Sequence, residues 1–179
     1  MKKVIRMLFT LSVLLLITSC GFKTPEKNNN INVMFLSEIP KAYEESIVNL
    51  ISTPAIDEAN LDLNLVLYPA SHEKLTIEIV AKQTDIFVVD YSLRHILLDP
   101  YGLTPLDQFN ELLPNNSLVE EFTLEDDASG QVHLYALPIT NDSKFLEDLG
   151  LVVPSPMLAV IVSHSDHPEI ALEILEKLL

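Results

Sequence analysis

Thr84-Asp85-Ile86-Phe87-Val88-Val89-Asp90-Tyr91 decides the fold. The run is nearly all apolar, β-branched or aromatic, with an acid at each end. Such a run reads as a strand buried on both faces at the centre of a parallel sheet. A central parallel strand needs neighbours joined by crossover helices. It also ends at the rim where open α/β sheets bind ligands, and Asp90 and Tyr91 stand at that end.

Working outward, Leu61 to Tyr68 alternates as a strand, and Ser71 caps a helix over 72–83 that crosses to the central run. Within that helix Leu75-Thr76-Ile77-Glu78-Ile79 also alternates like a strand. Helix is chosen because a crossover is required there and Ala81-Lys82-Gln83 extends it. Upstream, Ile31 to Leu36 reads as a first strand and Lys41 to Ile51 as an amphipathic helix stopped by Ser52-Thr53-Pro54. Downstream, short helices are expected at 93–98, 108–113 and 118–122, with a break at Pro114-Asn115-Asn116-Ser117. An exposed turn follows at 125–130, then one strand over 131–140, a short helix near 145–149 and a last strand over 157–163. A last helix starts at Pro168, a favoured first helical residue. The pattern is α/β: a single doubly wound sheet, mostly parallel, with a C-terminal strand and helix.

The N-terminus carries a second signal. Lys2, Lys3 and Arg6 precede an apolar stretch from Met7 to Ile17. That stretch is shorter than the ~20 residues a membrane span needs, so residues 1–19 read as a secretory signal peptide. Its end, Thr18-Ser19-Cys20, resembles the bacterial lipobox. The resemblance implies a diacylglycerol on Cys20, cleavage just before it, and anchorage by several acyl chains at the extracytoplasmic face of the cell membrane. Cys20 is the sole cysteine, so disulfides are not expected. Residues 20–30 read as lipidated Cys and flexible tether, and 31–179 as one domain. Of 11 basic and 26 acidic residues, three basic ones and no acid precede Cys20. The mature chain therefore carries 8 against 26, a net charge of −18. That balance argues against a nucleic-acid partner and leaves membrane attachment to the lipid.

Four stretches resemble the extracellular solute-binding proteins of bacterial ABC importers, of the type 2 class. One is the central run itself, preceded by Glu73-Lys74-Leu75. Another is Tyr101-Gly102-Leu103-Thr104-Pro105-Leu106-Asp107, similar to "GL-x-PLD". The third is Ser129-Gly130-Gln131-Val132-His133-Leu134-Tyr135-Ala136-Leu137-Pro138, similar to "dGk-x-YalP". The last is Leu158 to Leu179, with Ser165-Asp166-His167-Pro168-Glu169-Ile170-Ala171 in place of "SKNPEAA". Those proteins clamp a ligand between two α/β lobes, the first completed by a strand and helix that return after the second. Here fewer than 20 residues separate Pro138 from Met157. The resemblance therefore implies a first lobe alone, closed by its returning strand and helix.

The site it implies is the strand-end rim: Ser37, Glu38, Ser71, His72, Asp90, Tyr91 and Thr140. Tyr91 would stack on an apolar face such as a sugar's, and the acids would accept hydrogen bonds. For Ser37, Ser71 and Asp90 helix capping is the plainer reading and stands ahead.

Other chemistry finds little support. His164, Asp166 and His167 match no metal motif, and Glu125-Asp126-Asp127 lacks the glycine and terminal glutamate of a calcium loop. There are four unclustered glycines, no cysteine nucleophile and no Gly-x-Ser-x-Gly elbow. The expectation is a lipoprotein without enzyme activity, cofactor or metal, whose partners are the membrane and a small solute or a membrane permease. The alternative is an interaction lipoprotein or homodimer using the apolar face left by the absent lobe, with Leu103, Leu106 and Phe109 or their neighbours exposed there unless the loop from Asn141 to Pro156 covers them.

Overall fold

The computed structural model describes residues 29–113, 117–126 and 129–179. The signal peptide, Cys20 and the tether before Asn29 lie outside the described residues, as do Pro114 to Asn116 and Asp127 to Ala128. The first half follows the expected alternation. Strand β1 (Asn30–Leu36) leads through a 3₁₀ turn into helix α1 (Glu44–Ile51). Helix α2 (Pro54–Glu58) follows, then β2 (Asp62–Tyr68), α3 (His72–Ala81) and β3 (Ile86–Asp90). After β3 come a 3₁₀ turn, α4 (Arg94–Leu97), further turns, and α5 (Ser117–Glu121). The chain continues through β4 (Thr123–Glu125), β5 (Val132–Leu134), β6 (Leu137–Ile139), α6 (Lys144–Leu149), β7 (Met157–Ile161) and α7 (Pro168–Glu176).

The main sheet has five strands in the order β2-β1-β3-β7-β6. β1 runs parallel to β2 and β3, whereas β7 is antiparallel to both β3 and β6. Four strands thus share one direction. β7 runs against them because the chain leaving β6 stays at one end of the sheet and re-enters with Met157 beside Asp90. Every residue of β3 and β7 is buried, as the apolar central run requires. Helices lie on both faces. The Phe35 ring sits 6.0 Å from that of Phe145 on α6. Lys74 of α3 lies 4.4 Å over the ring of Tyr68, whose register partner Leu36 points to the face opposite Phe35.

Several expectations need correction. Pro54 does not merely stop α1; it opens α2 at a first-turn position, where its missing N–H costs nothing. The strand expected over 131–140 is two strands. β5 pairs with β4 as a separate hairpin, and β6 joins the main sheet. The break falls at Tyr135, whose N–H donates to the Phe122 carbonyl at 3.0 Å. At the end of this hairpin Asp126 N–H donates to the Gln131 carbonyl at 2.8 Å, and Gly130 stands at φ 68°.

The apolar face expected to be left open is closed. Leu103, Leu106 and Phe109 are 5%, 0% and 1% exposed, in one core with Phe122 and Leu134. The covering is local, since Leu106 N–H donates to the Leu134 carbonyl at 2.7 Å. The conflict inside residues 75–79 resolves as helix. Ser71 Oγ accepts from Lys74 N–H at 3.2 Å, and Leu75 is fully buried while Ile77 is 62% exposed.

Candidate functional site

β2, β1, β3 and β6 all end on the same side of the sheet, and β7 begins there. The residues expected at the rim follow those ends in the spatial order Ser71 and His72, Ser37 and Glu38, Asp90 and Tyr91, then Thr140. Neighbouring strands lie ~4.8 Å apart, so this row extends over roughly 19 Å from the β2 end to the β6 end. It is a line of small clusters, with β7 interposed before Thr140.

Ser37 is buried and committed. Its N–H donates to the Tyr68 carbonyl at 3.0 Å, and its Oγ accepts from Ile39 N–H at 3.3 Å, which ties the β1 exit to that of β2. Glu38 beside it is exposed. Ser71 caps α3. The adjoining His72 ring lies 5.0 Å from that of His95, across a shallow groove that Thr76 and Ile77 also line. Thr140 is half-buried at the far edge of the sheet, in a separate cavity of about 270 Å³ with Leu113 and Asp142.

The centre of the rim is the most organised part. Asp90 accepts from Ser92 N–H at 2.9 Å and from the Ser155 hydroxyl, so it caps the turn after β3 and also holds the loop before β7. Burial pushes its carboxyl toward neutrality, but the hydrogen bonds from Ser155 and Ser92 outweigh it and hold the pKa below the ordinary value.

Tyr91 N–H donates to the Pro156 carbonyl at 3.0 Å, and its hydroxyl donates to Glu121 Oε2 at 2.6 Å. Arg94 lies 4.1 Å over the Tyr91 ring and donates through Nε to Glu121 Oε1 at 2.7 Å. The hydrogen bond to Glu121, with burial second, raises the Tyr91 pKa, while donors from Tyr91 and then Arg94 lower that of Glu121. Phe122 meets the ring edge-on at 6.4 Å. One face of Tyr91 is therefore covered by guanidinium, and only its other side is left for a ligand. The group presents an arginine and a carboxylate joined by one charge-assisted hydrogen bond at the rim, an arrangement suited to hydrogen-bonding polar ligands.

Arg94, Glu121 and Ser155 were not among the residues read from the sequence. Glu121 and Ser155 are distant in the chain from Tyr91 and Asp90, so no spacing signals them. Arg94, three residues after Tyr91 on a short turn, could have been found by helical spacing. Asp85, at the other end of β3, is structural: its carboxylate accepts from Asn32 N–H at 2.8 Å and from Ser165 Oγ at 2.7 Å. Among the described residues, no three His, Cys, Asp or Glu side chains converge as a metal ligand set.

No family model matches the chain. It is 24% identical over 177 residues to the "Putative lipoprotein YteS" of Bacillus subtilis (strain 168), a match covering 99% of this chain and 96% of that protein. The similarity runs through the N-terminal segment that ends at Cys20, and the relative's name agrees with the lipobox-like reading there. Among the described residues no helix is long and apolar enough to cross a membrane.

Proposed function

We propose that this protein is a lipid-anchored, extracytoplasmic binding module without catalytic activity, built as a single lobe of the type 2 solute-binding plan. The observation that carries the reading is the way the quoted stretches close on one another. β7 lies between β3 and β6, so the C-terminal strand completes the sheet with only Thr140 to Pro156 between it and β6. The segment 101–107 bonds to two of the other three stretches. Thr104 N–H donates to the Ile161 carbonyl at 2.9 Å, Ser163 N–H to that of Gly102 at 2.9 Å, and Leu106 N–H to that of Leu134. The relative of nearly the same extent supports a one-lobe plan shared beyond this chain.

On this reading the membrane is reached through the lipid on Cys20, and the rim centred on Tyr91, Arg94 and Glu121, with Glu38 beside it, meets the ligand. A small polar solute bearing hydroxyl or amine groups fits the donors and acceptors present, and a membrane permease would be the next partner. A single open lobe offers half of a clamshell's contacts, so affinity should be weak, about millimolar. The test is equilibrium dialysis of the full chain in detergent against sugars, amines and short peptides. Saturable binding that Tyr91→Ala weakens is expected. Absence of saturable binding across the panel would remove the solute reading.

A further inference from the structure

His72 and His95 meet across the groove between α3 and α4. No motif signals the pair, because the two stand on different helices. Their ring centres are 5.0 Å apart and the rings are tilted by 55°. Both residues are exposed. Among the described residues neither ring has a hydrogen-bond or ion-pair partner, so their nitrogens are uncommitted. The backbone beneath them is fixed. His72 opens α3, which Ser71 caps, and Thr76 Oγ1 donates to the His72 carbonyl at 2.9 Å. His95 is held on α4 between Leu93 and Leu97, both buried in the core. Glu73, Thr76, Ile77 and Ile96 line the rest of the groove.

We infer that His72 and His95 together bind one divalent ion of the late first-row metals (nickel, copper or zinc), bridging α3 and α4. The ring separation carries the inference. An ion ~2.0–2.1 Å from one nitrogen of each ring, at angles between square and tetrahedral, sets the ring centres ~4.5–5.2 Å apart. The pair already stands inside that window. The outer torsion of a histidine is broad, so each ring can turn a nitrogen toward a shared point at little cost. Imidazole suits these ions, whereas calcium and magnesium require oxygen ligands. The Glu73 carboxylate in the same groove and the net charge of −15 favour a cation there. Among the described residues no third His, Cys, Asp or Glu completes the set. The remaining positions therefore belong to water or to donor atoms of a bound molecule. Two protein ligands give micromolar binding rather than the far tighter hold of a closed four-ligand site. The inference does not depend on whether the rim binds a solute.

Two measurements test it on the untagged full chain in detergent, stripped of metal with a chelator. Calorimetric titration with nickel chloride should show one ion bound per chain, and calcium chloride should show none. His72→Ala and His95→Ala, both exposed changes, should each weaken nickel binding roughly tenfold or more. His164→Ala, at the other end of the sheet, should leave it unchanged. Nickel should also raise the melting temperature of the natural chain, because an ion that clips α3 to α4 binds the folded state alone, and it should not raise that of His95→Ala. Absence of saturable nickel binding overturns the proposal. So does binding that survives either His72→Ala or His95→Ala, since one histidine or a different site would then hold the ion. A melting temperature that nickel raises equally in the natural chain and in His95→Ala overturns it as well.

Discussion

Asp107 holds the backbone of Leu134: its Oδ1 accepts from the Leu134 N–H at 2.9 Å, while its Oδ2 lies 2.5 Å from Nδ1 of His133. One carboxylate thus fastens the β4–β5 hairpin onto the segment that carries Leu103, Leu106 and Phe109. The expected consequence of Asp107→Ala is a loss of about 1 kcal/mol, modest because the carboxylate is partly exposed. Hydrogen exchange should quicken locally in 132–135, leaving β3 protected. A urea midpoint and exchange pattern identical to those of the natural chain would show that the hairpin is held by its apolar contacts alone.

Asp90 ties the turn after β3 to Ser155, and its carboxyl titrates below the ordinary value. A native pKa below the unfolded one means the unfolded chain binds more protons between the two. The stabilisation is therefore complete above the unfolded value of ~3.9 and is lost as pH falls through the native pKa. Asp90→Asn should cost about 1–3 kcal/mol at neutral pH, since it leaves buried donors without an anionic acceptor. The gap between natural and variant chains should narrow as pH falls below that range. Denaturant midpoints across the acid range measure it, and a gap constant with pH would rule out charge on Asp90 as its source.

Leu75 and Ile77 separate helix from strand at the one place where the sequence argued with itself. In a strand both would share the buried face. In α3 Leu75 packs inward and Ile77 stands in solvent. Leu75→Ala should cost about 2–5 kcal/mol, whereas Ile77→Ala should stay within ~0.5 kcal/mol. Equal losses at both positions would be inconsistent with the helix.

These cases mark what could be read in advance. The central run, the parallel β1 and β2, and the Ser71 cap followed from apolar patterning and one side-chain oxygen, both local properties of the chain. The hairpin β4–β5 and the break at Tyr135 depend on the Phe122 carbonyl, a tertiary partner that no local pattern announces. Asp90 and Tyr91 stand at the end of the central strand, as its direction requires. Tyr91 looked like an open stacking surface because the nearby Arg94 was passed over and Glu121 meets it only after α5 folds back from a distant part of the chain. The burial of Leu103, Leu106 and Phe109 was hidden for the same reason.

Glu121 sets the state of Tyr91 and the posture of Arg94 together. Glu121→Gln would keep the shape but weaken both charge-assisted hydrogen bonds. The group is largely exposed, so stability should change by less than ~1 kcal/mol. The Tyr91 phenol should instead titrate closer to its ordinary value of ~10, because its elevation comes first from the hydrogen bond to Glu121. The ultraviolet tyrosinate titration of the natural chain, Glu121→Gln and Tyr91→Phe isolates this group, since the Tyr91→Phe curve subtracts the other tyrosines. If the rim binds a polar solute, Glu121→Gln should also weaken that binding while melting behaviour stays unchanged. A tyrosine titration unmoved by Glu121→Gln would mean that Arg94 and Phe122 hold the ring without the carboxylate, and the acceptor role assigned to Glu121 would have to be withdrawn.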